Sequence, residues 1–481
     1  MRASYILLAA AVYFILLVLV SRLKGGKGDN DAFFRGNRNS PWWAVAFGML
    51  GASLSGVSFV SVPGMVGTQD MTYLQMCMGF IPGYLLVAFV LLPLYYRLNL
   101  TSIYTYLQRR FGEVAYRTGS SFFLLSKLLG AAARLYLVCL ILQRFVFADM
   151  GIPFQVTVCV LVFLIWAYTL RSGIKSIVWT DALQTFCLLA ALVLMLWQLC
   201  NRMELGVADA LRVVTDSPHS RWLEWDDWSS RTHFIKQFLS GAFIVVVMTG
   251  LDQDMMQKNL TCKNLRDAQK DMCSYGLLFL PINWLFMALG ILLLTFAAQQ
   301  GIALPSRGDD ILPLCCAQGY LGLPVLVLFT VGIIAAAFSS ADSALTALTT
   351  TFCVDMLDVE HRAAHPERLR RRVHTAMAVA FASCMLFINA IQSTSVLDAI
   401  YVIASYTYGP LLGLFALGLF TTCRPRACWV PVVCVCSPVL CYLLNLYTSR
   451  CLSYTFGYEL LMLNALLTLM GLWLASCRRA Q

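Results

Sequence analysis

The chain has 481 residues, of which 59% are hydrophobic and only 12% charged, with a formal net charge of +10. About twenty apolar residues cross a bilayer as a helix, and this chain supplies that length many times over, which excludes a soluble globular protein and predicts an all-α polytopic membrane protein in a lipid bilayer. The positive charge then acts as an orientation signal; no nucleic-acid partner is expected.

In chain order, hydropathy predicts about thirteen spans, near 4–21, 42–67, 73–96, 118–147, 153–170, 176–200, 233–251, 272–299, 319–352, 373–391, 396–421, 427–446 and 456–476. The first apolar run carries its basic residues (Arg22, Lys24, Lys27) behind it and has no small-x-small cleavage site, so it reads as a retained span rather than a signal peptide. Sorting Lys and Arg by alternate loops places 24 on one side, running from Arg22 through Lys27, Lys258 and Arg362 to Arg478 and Arg479. Nine fall on the other side, Arg144 among them, and Lys127 and Arg134 lie inside the fourth span. An odd number of spans with this asymmetry predicts a multi-pass protein of the plasma (inner) membrane, its N-terminus outside and its C-terminus cytoplasmic.

The second span, GMLGASLSGVSFVSVPGMVG, is dense in Gly and Ser and contains Pro63. Freed backbone carbonyls of this kind are tolerated at membrane depth only where they line a cavity. The seventh span ends in MTGLDQDMMQKNL, again with Gly and polar residues. Interrupted spans in corresponding positions of two halves point to a secondary transporter with inverted repeats, here 42–201 and 232–422. Around them lie an extra N-terminal span and loop (1–41), an extracytoplasmic loop (202–231) and two C-terminal spans (423–481). That loop is acidic and Trp-rich (Trp222, Trp225, Trp228), a composition suited to the headgroup belt.

The ninth span places Ser339, Ser340, Asp342, Ser343, Thr346, Thr349 and Thr350 at membrane depth. Polar groups there are costly and mark ion or substrate paths, although single hydroxyls often bond back to their own helix. Ala336, Ser339 and Ser340 share one face at i, i+3 and i+4, and a carbonyl with two hydroxyls is a hard-oxygen set suited to an alkali cation. The 18 cysteines contain no C-x-x-C pair, and the five histidines (His219, His233, His361, His365, His374) lie in loops or at span ends. No hydrolytic or metalloenzyme constellation assembles, so an enzyme is not expected.

GASLSGVSFVSVPG in span two, RSGIKSIVWTDALQ at 171–184, LDQDMMQKNL at 251–260 and AAAFSSADS at 335–343 together resemble the sodium:solute symporter family over nearly the whole chain. The resemblance implies a leucine-transporter-type 5+5 core with one span before it and two after it. It also implies a secondary active transporter that couples inward sodium movement to uptake of a small organic solute by alternating access, with sodium as coupling ion and no organic cofactor. A proton-coupled or uncoupled carrier or channel of the same fold is the alternative. Motif by motif, the family's common sodium site falls on Gly51, Leu54, Ala336, Ser339 and Ser340, with Ala52 replacing Gly51 if the register shifts by one. A second cation set falls on Asp181, Asp342 and Ser343.

Two carboxylates meeting in a low-dielectric site need a proton or a cation between them; the other reading pairs Asp181 with Arg171 or Lys175 at the membrane surface. Substrate-cavity candidates are Ser55, Ser58 and Phe59 on the broken helix, Gln75, Arg134 and Phe243. A guanidinium at the depth of Arg134 is expected either to meet a substrate carboxylate or to balance a buried acid. The SGVSF-x-SVPG segment looks more like the organic-anion and vitamin branch than the proline branch, and a monomer is expected.

Overall fold

Helices break where Gly, Ser and Asp interrupt the apolar runs. The computed structural model describes residues 2–24, 30–143, 147, 151–228, 230–359, 363–391, 396–451, 454 and 456–477; Lys27, Arg144, His361, Arg362, Arg478 and Arg479 lie outside them. Among the described residues there is no strand. Among the described residues eight helices are long and apolar enough to span a membrane, and two bent pairs raise the number to ten when each pair counts as one span. Phe154–Leu170 and Leu460–Ser476 are apolar but shorter. The expectation of thirteen counts these two and the first helix as well.

The chain starts with α1 (Arg2–Lys24) and a short α2 (Asn30–Arg35). The first broken span is α3 (Trp42–Ser53) and α4 (Gly56–Gln69), bent by 57°. Leu54 (φ −78°, ψ 71°) ends α3, and Ser55, extended at φ −71°, ψ 170°, starts α4. A Ser-Leu-Ser-Gly run has poor helix propensity, which is why the bend falls there. Next come α5 (Tyr73–Leu86), continuing through a π turn into α6 (Leu92–Leu98), then α7 (Thr105–Phe111) and α8 (Glu113–Leu142). The long α9 (Phe154–Arg202) kinks at Gly173, whose φ of 54° and ψ of −151° suit only glycine. A Cβ there would also stand 2.5 Å from the Cα of Phe33.

The connecting segment carries α10 (Val207–Thr215), and beyond it the exposed Trp225 ring lies 4.7 Å from that of Phe234. The second broken span joins α11 (Phe234–Val245), through a π turn at Val246–Gly250, to α12 (Gln253–Asn259), bent by 68°. Asp252 caps α12, its carboxylate accepting from the Asp254 backbone N–H at 2.9 Å. Then follow α13 (Leu265–Gln299), α14 (Ile311–Ala317) and α15 (Leu323–Thr351), and finally α16 (Pro366–Ile391), α17 (Val396–Phe420), α18 (Trp429–Cys451) and α19 (Leu460–Cys477).

α15 lies at the centre, buried along nearly its whole length against α9, α8, α3 and α1. α5 and α11 approach most closely through glycines. A Cβ on Gly79 would enter the Phe238 carbonyl, one on Gly83 would stand 2.6 Å from the Ala242 carbonyl oxygen, and one on Gly241 would strike the carbonyl of Met76.

Candidate solute and cation site

A polar cavity opens where the two broken spans face α8 and α13. Ala52, Ser53, Ser55 and Ser58 come from the first break, Thr249, Asp252 and Asp254 from the second, Lys127 and Arg134 from α8, and Tyr84 and Tyr275 from α5 and α13. Lys127 and Arg134 are seven residues apart, two helical turns, so both present to the same side of α8. The Lys127 ammonium donates to both oxygens of Asp252 (3.2 and 3.0 Å) and stands 2.6 Å from Asp254 Oδ2. Tyr408 OH adds a 2.6 Å hydrogen bond to Asp252. On the opposite wall Tyr84 OH donates to Tyr275 OH at 2.7 Å, and Tyr275 pairs with Ser53 Oγ. Arg134 is half-buried on the cavity wall and has no ion pair or hydrogen bond among the described residues.

Beneath this cavity lies a second polar cluster between α9, α12 and α15. Asp181 is fully buried; its Oδ1 accepts from Ser339 Oγ at 2.9 Å and its Oδ2 from Ser343 Oγ at 3.1 Å. The Lys258 ammonium, also fully buried, stands 2.6 Å from the same Oδ2. Its alignment lies outside hydrogen-bond geometry, so the contact is a close ion pair. Asp342 accepts from Tyr168 OH at 2.5 Å, and its Oδ1 lies 3.2 Å from Ser343 Oγ, whose one proton is shared between the two carboxylates. Asp254 Oδ1 is 3.8 Å from Lys258, so this one carboxylate stands between the lysine of the cavity and the lysine of the cluster.

On the neighbouring stripe of α15, Ser340 Oγ bonds to the Ala336 carbonyl at 3.2 Å and to the Ala52 carbonyl at 3.3 Å. The break after α3 therefore lies directly against Ala336 and Ser340, beside Gly51 and Leu54. Thr349 and Thr350 bond back to Leu345 and Thr346, the ordinary behaviour of membrane hydroxyls.

The residues expected from the sequence thus separate into groups. Ser55, Ser58 and Arg134 line the cavity. Phe59 is buried in an aromatic cluster with Phe286 and Phe329, ring centroids 5.6 and 5.9 Å away. Gln75 is fully buried outside the cavity, donating to the Thr232 carbonyl at 2.8 Å and accepting from the Glu224 N–H at 3.0 Å. Phe243 faces outward with Leu86 and Phe420 along an apolar groove. Asp181 does not pair at the membrane surface with Lys175: its partner is Lys258, which the loop count had assigned to a loop.

Lys127, Asp252, Asp254, Tyr275 and Lys258 were missed as site residues. A signal was present for one pair: Asp254 and Lys258 stand at i and i+4 within a broken polar span, where a loop assignment is least secure.

The profile of the sodium:solute symporter family matches residues 33–424. The chain belongs to the sodium:solute symporter family. This symporter is 27% identical over 430 residues to the sodium/sialic acid symporter NanT of Aliivibrio fischeri, covering 87% of this chain and 83% of that protein. It is 26% identical over 435 residues to the sodium/sialic acid symporter SiaT of Proteus mirabilis, covering 87% and 84%. It is 26% identical over 427 residues to the human sodium/iodide cotransporter, covering 85% of this chain and 65% of that protein. Among solved structures, a Na+-coupled sialic acid symporter in a substrate-bound outward-open state superposes with a TM-score of 0.82 at 22% identity, covering 99% of this chain and 98% of that one. Mhp1, a nucleobase-cation-symport-1 family transporter, gives 0.56 at 15% identity in its closed conformation, covering 94% of each chain. The fold is therefore of the leucine-transporter type, and the protein is a multi-pass membrane symporter with sodium as coupling ion, not an enzyme.

Proposed function

We propose that this symporter uses the sodium gradient to take up a small organic anion by alternating access, with Arg134 meeting the solute's carboxylate. The observation that carries this reading is the unpaired guanidinium on the cavity wall. Lys127 pairs with both Asp252 and Asp254, and neither carboxylate makes an ion pair with Arg134. A planar guanidinium grips a carboxylate through two parallel hydrogen bonds, which suits it to that role. Sialic acid and iodide, the solutes named for the relatives above, are anions at neutral pH. Ser55, Ser58 and the Ser53–Tyr275–Tyr84 hydroxyl chain offer partners for the rest of the solute.

The common sodium site comprises the backbone carbonyls of Gly51, Leu54 and Ala336 with the hydroxyls of Ser339 and Ser340. The Ser340–Ala52 contact supports it, because it brings the end of α3 against that face of α15. Asp181, Asp342 and Ser343 form a second cation position. The repeats are 42–201 and 232–422, inverted in the plasma membrane, with 1–41 leading into them, 202–231 outside, 423–481 following, the N-terminus outside and the C-terminus cytoplasmic. A single copy in the bilayer suffices for the cycle.

A thermal-shift screen of the purified protein against carboxylates, amino acids and sugars, in sodium and in choline, tests this. A ligand at a hundredfold excess over its Kd stabilises the native state by about 2.7 kcal/mol. The expected result is stabilisation by a carboxylate in sodium alone, lost in Arg134→Gln while that variant stays folded. Stabilisation by a neutral solute, unchanged in Arg134→Gln, would end the anion reading.

A further inference from the structure

We propose that the second cation position carries its own cation, the Lys258 ammonium, so that one sodium ion binds per transporter and not two. The inference deepens the sodium-coupled reading above and rests on it.

Three observations carry it. Lys258 is fully buried, and its ammonium stands 2.6 Å from Asp181 Oδ2, the oxygen that Ser343 also engages. The other oxygen of Asp181 accepts from Ser339, and Asp342 is held by Tyr168 and Ser343. Thus each residue of the second cation set is already engaged, and the positive charge that two neighbouring carboxylates demand comes from the chain itself. Lys258 has few places to go. It belongs to α12, a helix of two turns whose residues are all buried, and the second carboxylate near it, Asp254, is 3.8 Å away and already bound to Lys127. A sodium ion entering here would have to displace a fully buried ammonium from its carboxylate, and a buried charge parted from its partner is strongly disfavoured. A tethered ammonium brings the same unit charge to the same oxygens without being drawn from solution. It is present in every cycle and contributes nothing to the sodium concentration dependence.

Equilibrium binding of 22Na+ to the full-length protein in lipid nanodiscs tests this without knowledge of the solute. The expected result is one ion per chain with a Hill coefficient of one. Truncation to Lys258→Ala opens the position, raising the count to two per chain, and millimolar methylammonium, which restores the missing cation, brings it back to one. The double variant Asp181→Asn/Lys258→Met, which leaves neither charge buried alone, still binds one ion at the common site. Two ions per wild-type chain overturn the inference, as does a double variant that folds yet binds none, since Asp181 would then belong to the sole sodium site. A Lys258→Ala protein that folds and stays at one ion overturns it too. No sodium binding by the folded wild type would instead bring down the sodium-coupled reading beneath it.

Discussion

Lys127 and Asp254 meet at 2.6 Å, both more than nine-tenths buried, and this contact joins α8 to the first turn of α12. Removing one side of a buried pair leaves the other charge uncompensated, which costs about 3–5 kcal/mol. Lys127→Met should lower the thermal unfolding midpoint strongly, Asp252 being stranded together with Asp254. Adding Asp254→Asn should recover part of the loss. A double variant whose loss equals the sum of the two single losses would show that the pair is not coupled.

Arg134→Lys tests geometry rather than charge. An ammonium cannot reproduce a two-pronged hydrogen bond, so the apparent affinity for the carboxylate solute should fall about tenfold or more with little change in thermal stability. Uptake kinetics over a range of solute concentrations would read this, and unaltered affinity would mean that the guanidinium serves only as a point charge.

Ser340→Ala should raise the sodium concentration needed for half-maximal uptake, and Ser339→Ala/Ser340→Ala should abolish coupling. The bond from Ser340 back to Ala336 is of a kind that a helix can lose at little cost. Sodium dependence that survives intact in the double variant would therefore remove both hydroxyls from the site.

Gly173→Ala should destabilise the fold, because the left-handed conformation there costs a side chain about 1–3 kcal/mol and the added methyl meets Phe33 as well. Gly130→Ala is the matched control. Its Cβ meets nothing within 4 Å in the middle of α8, and it should gain about 0.5–1 kcal/mol of helix stability. Thermal midpoints of the two variants side by side give the comparison.

The orientation can be read by labelling single cysteines in intact cells. Asp226→Cys, exposed in the 202–231 segment, should react with an impermeant maleimide, and Lys263→Cys, exposed in the turn after α12, should not. The native Cys262 is fully buried and would stay silent on either side of the membrane, so it is no reporter. Reaction at position 263 from outside would reverse the topology.

The two helix breaks were legible because their cause is local: Ser, Gly and Asp weaken a helix wherever they cluster, and the bends fall at Leu54–Ser55 and Leu251–Asp252. The polar stripe of α15 was legible for the same reason, and the partner it demanded is Asp181. The direction taken by side chains on an unbroken apolar helix was not. Phe243 turned outward and Phe59 turned into a cluster of rings, and nothing in a run of apolar neighbours distinguishes those outcomes. Lys258 shows the opposite failure. A basic residue after an apolar stretch reads as a loop residue unless the acid that draws it inward is known, and that acid lies on another helix.

The glycine contacts between α5 and α11 have a mechanical consequence. Where backbone meets backbone with no side chain between, one helix cannot slide along the other without driving carbonyl groups into Cα atoms. α5 and α11, on either side of the 202–231 segment, are in effect riveted, and α13 packs against both α3 and α5. Helices from the regions of the two broken spans, 42–98 and 234–299, should therefore travel as a single lever, with the hinge that exposes the cavity to one side and then the other expected where this lever rests on α8, α9 and α15.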